Sequence, residues 1–92
     1  MSPADERAVS GPDVLAKLAA LPISTWSYEW EPDVPHMGPM AQDFAAAFGL
    51  GADNTKIDLI DANGVTMVAI QALYRRVLAL EATVAKLTAA GE

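Results

Sequence analysis

The sequence contains one histidine, His36, at the head of the stretch HMGPMAQDFAAAFGL. Histidine changes charge between about pH 5 and 8 and is the commonest metal ligand, so a search for chemistry starts there. As a general base it needs a nucleophile. Ser24, His36 and Asp43 supply the residue types of a Ser-His-Asp set, but no Gly-x-Ser-x-Gly turn presents the serine. As a metal ligand it needs companions. Asp33 and Asp43 are the candidate carboxylate companions, and there is no second histidine and no cysteine. The preferred reading is structural: His36 hydrogen-bonds a backbone or neighbouring group and sets the loop leading into Gly38-Pro39.

Other residues invite similar weighing. Trp26, Tyr28 and Trp30 alternate, which puts three rings on one face of a strand. They suit stacking on sugar rings, though an aromatic strand face more often belongs to a core, which is the reading preferred here. Asp53, Asn54, Asp58, Asp61 and Asn63 suggest a calcium loop, but the spacing and terminal glutamate of an EF-hand are missing, and turn chemistry accounts for them better. Gln42 and Asp43 flank an apolar stripe and read equally well as an interface network or as ordinary helix surface. No catalytic residue, cofactor or metal is expected.

Composition narrows the function classes. Twelve acidic residues against six basic ones leave a net charge of −6, which repels phosphate backbones and makes nucleic acid a poor partner. No run of about 18 apolar residues exists to span a membrane. The first residues, MSPADERAVSGPD, lack the basic start and apolar centre of a signal peptide. With 92 residues the chain is expected to form one small domain, for which oligomerisation is a route to additional core.

The elements that must position these residues suggest an α+β protomer. Residues 1–10 read as a flexible leader and 11–67 as a small α+β domain. SGPDVLAKLAAL forms a first helix, with Ser10 or Gly11 as cap, Pro12 in the first turn and Val14, Leu15, Leu18 and Leu21 on its apolar side. ISTWSYEW, residues 23–30, reads as a strand and EPDVPH as a loop. A second helix opens at Gly38-Pro39, carries Phe44 and Phe48 into the core, and ends at Gly49 in the left-handed conformation. KIDLIDANGVTM reads as a β-hairpin turning at Asn63-Gly64, both of which tolerate positive φ. From about Thr66 to Ala90 a helix follows, its coiled-coil part at 68–90. Ile70, Leu73, Val77, Leu80, Val84 and Leu87 repeat at spacings of 3 and 4, with Ile70, Val77 and Val84 at a, Arg76 at g and Glu81 at e. A seam that long is expected to meet copies of itself.

ALPISTWSYEW, HMGPMAQDFAAAFGLG and IDLIDANGVTMVAIQALYRRVLALEATVAKL, in that order, resemble the C-terminal intramolecular chaperone domain of phage tailspikes, tail fibres and endosialidases. The same domain occurs in bacterial tail fibre domain proteins and in a eukaryotic membrane-bound transcription factor. The residues that carry the likeness are His36, Gly38, Pro39, Gln42, Asp43 and Phe44, then Asp61, Gly64 and Gln71. The resemblance implies a parallel homotrimer that registers three chains so that an upstream β-rich fibre or stalk can fold. It places the chain in a virion, in host cytoplasm during assembly, or on a bacterial surface. Family members commonly cut themselves free with a Ser-Lys dyad in a Ser-Asp-x-x-x-Lys motif. Here Ser2 precedes Pro3 and Ser10 precedes Gly11, and Lys17 lies at a different offset inside the first helix. Self-cleavage is therefore not expected. A peptidase with an altered dyad and a sugar-binding fibre tip remain as alternatives. No stalk lies within these residues, so the chain is expected to be a separated chaperone unit.

Overall fold

The computed structural model describes residues 5–91. Helix α1 spans Gly11–Ala20, strand β1 Ser24–Trp26, strand β2 His36–Gly38, helix α2 Ala41–Phe48 and helix α3 Leu59–Ala90.

Helix α1 starts where its sequence indicates. Ser10 is the N-cap, its hydroxyl accepting from the Asp13 amide at 3.4 Å, and Pro12 stands in the first turn, where its missing N–H costs nothing. Leu21 caps the other end just before Pro22. Helix α2 begins at Ala41, later than Gly38-Pro39, because Met40 supplies an extended N-cap and Gly38 is already paired in β2. It ends as expected at Gly49, whose φ of 63° suits a residue without a β-carbon and whose amide donates to the Ala45 carbonyl at 2.8 Å.

The strand expected over 23–30 is short. Only Ser24–Trp26 is extended, and its antiparallel partner is His36–Gly38, a segment expected to be loop and helix start. Glu29, Pro32, Asp33 and Pro35 keep the intervening chain out of the ladder: prolines lack the donor, and the Glu31 amide closes a turn on the Tyr28 carbonyl at 3.0 Å.

The hairpin expected around Asn63-Gly64 does not form. Helix α3 already begins at Leu59, capped by Asp58, whose carboxylate accepts from the Ile60 amide at 2.8 Å. Asp61 lies in the first turn, where a negative charge suits the helix dipole. Asn-Gly favours a turn locally, but the burial of Val65, Ala69 and Ala72 against the rest of the chain outweighs that preference. Gly64 is helical, and positive φ among the glycines occurs only at Gly49 and Gly51, both before α3. The connection between α2 and α3 is held by Asp53. The Thr55 hydroxyl and amide donate to its carboxylate at 2.7 and 2.9 Å and hold its pKa below the usual carboxylate range.

The core is small. Leu21, Phe44 and Val65 form its centre, with Val14, Leu18, Phe48 and Ile57 packed around them. Phe44 and Phe48 stand 4.9 Å apart between ring centroids, the pair expected to anchor α2. Helix α1 runs antiparallel to α3, since Gly11 lies against Ala72 while Leu21 clusters with Val65. A β-carbon on Gly11 would come within 3.2 Å of the Ala72 β-carbon, so glycine there sets how closely the two helices approach. The radius of gyration is 18.1 Å, against about 12 Å for a compact chain of this length. Helix α3 causes the difference: its 32 residues extend roughly 48 Å, and α1 reaches only its first half.

Candidate functional site

Helix α3 carries two apolar stripes. Val65, Ala69 and Ala72 are buried on the face that packs against α1, with Phe44 of α2 joining the cluster at Val65. At roughly 100° per residue, Ile70, Leu73 and Val77 point about 100° round the helix from that stripe, and none of the described elements covers them. Ile70 is 61% exposed and Leu80 65% exposed, and the exposure continues through Val84 and Leu87. Every residue from Leu73 to Gly91 is exposed. A large apolar side chain left in water forgoes about 1.5–3 kcal/mol that burial would give. Six of them in register along one helix make a surface suited to a partner. Arg76 and Glu81, both exposed, flank it at g and e. The helix is continuous through the boundary expected at 67–68, so Thr66, Met67 and Gln71 are helical and not at a hairpin junction.

The residues weighed for chemistry do not converge. Ser24 lies opposite Gly38 in the ladder, whereas His36 lies opposite Trp26, and Asp43 is exposed on α2. Among the described residues no group of three or more metal-ligating side chains comes together, and no helix is long and apolar enough to cross a membrane. Ser2 lies outside the described residues. The Ser10 hydroxyl is engaged as the α1 cap, with Lys17 two turns further along the same helix.

His36 joins an aromatic cluster. Its ring lies 5.1 Å from Trp26 and 5.4 Å from Tyr28, and Tyr28 stacks on Trp30 at 4.3 Å. The expected hydrogen bond is absent at Nε2, which stands 3.7 Å from the Glu31 carboxylate and has no partner, as is also true of the Trp26 indole nitrogen. The expectation of a core face fails here. Tyr28 and Trp30 lie beyond the strand, Trp30 is 77% exposed, and the hairpin contacts none of the helices. The rings gather by turning with the chain and not by strand alternation.

The other motif residues scatter. Gly38 and Pro39 are half-buried, Gln42 is exposed on α2, and Phe44 is in the core. Asp61 is half-buried in the first turn of α3, and Gly64 and Gln71 are exposed on it. Sequence reading missed the buried stripe, although a small residue recurring at spacings of 4 and 3 after Val65 is a legible helix-packing signal.

The family profile described as chaperone of endosialidase, peptidase S74, matches residues 5–50. The matched half of the chain holds α1, the hairpin and α2, while α3, with Asp61, Gly64 and Gln71, lies beyond it. No curated protein matches the chain, and no solved structure does. With half of its length covered, including the stretch from His36 to Phe44, the chain belongs to the peptidase S74 family of endosialidase chaperones.

Proposed function

We propose that this chain is a trimerisation and folding-assistance domain for a fibrous upstream polypeptide. The observation that carries this reading is the uncovered seam from Ile70 to Leu87, in a chain whose remaining apolar stripe on α3 is already satisfied internally. The domain acts by concentration. Once three copies associate through α3, the chains attached to them are held at effective concentrations of around millimolar, and local registration replaces a three-body encounter. β-Branched residues at a with leucine at d favour two strands, yet three fits this protein better. Ile60, Met67 and Tyr74 repeat every seven residues beside the seam and Leu78 adds to them, so the apolar face is wider than a two-stranded seam uses. Membership of the chaperone family supports the same number. Ser10 acts as a helix cap, and self-cleavage is not part of this function.

Sedimentation equilibrium tests the reading. A mass near three times 9.7 kDa is expected. A dimer would mean that the heptad preference prevails, and a monomer would remove the assembly reading altogether.

A further inference from the structure

Helix α1 has two flanks. Asp13, Val14 and Lys17 face a groove of about 550 Å³ whose α3 side is formed by Asp61, Gly64 and Val68. By helical spacing, Leu15 and Ala19 lie on the opposite flank, on the side of α3 that carries the free seam. Leu15 is half-buried yet belongs to no core cluster, and Ala19 is exposed. Because α1 is antiparallel to α3, with Gly11 level with Ala72, Leu15 lies near the level of Val68, and Ala19 sits about a turn higher.

We propose that this α1 flank is the seat for Met67 and Tyr74 of a neighbouring copy in a parallel assembly, so that α1 serves the interface as well as its own core. The inference rests on the assembly proposed above and adds a second contact surface to it. In parallel coiled coils an e residue of one helix faces the g residue five positions earlier on the next. Here that rule pairs Met67 with Ala62, Tyr74 with Ala69 and Glu81 with Arg76. Two pairs set a large exposed side chain against a small residue, and the third sets opposite charges together. Met67 and Tyr74 are each 63% exposed, whereas Ala69 is 4% exposed because its own α1 covers it. A tyrosine arriving at Ala69 therefore meets the edge of α1. Side chains on a helix lean toward its N-terminus, which carries the neighbour's Tyr74 up toward Leu15 and its Met67 up toward Ala19. An antiparallel arrangement sets e against e, separates Arg76 from Glu81 and leaves the flank empty.

The protein has no cysteine, so site-directed cross-linking is clean. Two differently tagged chains are co-expressed, one carrying Leu15→Cys and the other Tyr74→Cys, and treated with a short bismaleimide. A mixed band at twice 9.7 kDa is expected, and the same from Ala19→Cys with Met67→Cys, where both positions are exposed and folding is not at risk. Leu80→Cys serves as the seam control and should cross-link to itself. A productive control with no mixed product from either pair overturns the α1 seat and leaves the assembly standing. Self-cross-linking of Tyr74→Cys overturns it too, in favour of antiparallel helices. A control that fails together with both pairs removes the assembly and the seat.

Discussion

Val65, Ala69 and Ala72 occupy the same turns of α3 as Ile70 and Leu73, yet the first set is buried and the second is in water. The difference lies in side-chain size. Alanines at 69 and 72, the latter met by Gly11, let two helices of one small domain close to contact distance. Larger side chains at 70, 73, 77 and 80 need holes bordered by several residues, and α1 with α2 is too short to provide them. One stripe is completed within the chain; the other is left in water, and under the proposed function it is additional copies that complete it. A single helix thus divides into a folding face and a free face, the latter being the assembly face of the proposed function.

The sharpest way to break this comparison is to charge the assembly face alone. Leu80→Asp would bury several carboxylates together in the seam, a cost of several kcal/mol per ion. The mass should fall from about three times 9.7 kDa to the monomer value, while Phe44 stays packed. An unchanged mass would show that the seam is not the interface.

The folding face should respond differently. Phe44 is 5% exposed at the centre of the small core, and Phe44→Ala should cost about 3 kcal/mol by cavity formation and lost burial. Denaturant unfolding should show the same loss in the wild type and in the Leu80→Asp background, because distant sites on separate surfaces add. A loss that vanished in the dissociated variant would mean the core forms only on assembly, and that the two faces are not independent.

Ser10 tests whether the α1 end of the folding face has a chemical role. Its capping bond is long, so Ser10→Ala should cost only about 0.5–1 kcal/mol. A serine without a nearby base is a weak nucleophile, and the purified protein should hold its intact mass for days by mass spectrometry. A discrete N-terminal cleavage that disappeared in Ser10→Ala would assign the residue to catalysis.

Much of this division was open to reading. The Ser10 cap, Gly49 as terminator and Phe44 as anchor all rest on local spacing or on one residue's conformational range, and each appears where expected, while the a/d residues lie exposed on one continuous helix. What failed depended on distant contacts. The β2 strand has no signature of its own in His36-Met37-Gly38 and exists because Ser24–Trp26 lies alongside. The aromatic face rests on strand alternation, which ends at Trp26 once the chain turns. The start of α3 was obscured by Asn63-Gly64, the strongest local turn signal in the chain, overruled by three buried residues that follow it.

That last conflict yields the smallest effect, and its sign is informative. In a hairpin turn Gly64 would stand at positive φ, where a β-carbon is penalised, and Gly64→Ala would destabilise. In α3 it is helical, exposed, and a β-carbon on it would meet no atom within 4 Å. Glycine inside a helix costs roughly 0.5–1 kcal/mol relative to alanine, mainly through the freedom it has in the unfolded chain. Gly64→Ala should therefore raise the melting temperature modestly, with the mass of the assembly unchanged, because position 64 lies on the groove side of α3 and away from the seam. A lower melting temperature would restore the turn and shorten α3 at its start. It would also take Val65 out of a helix, and with it the first residue of the buried stripe that α1 packs against.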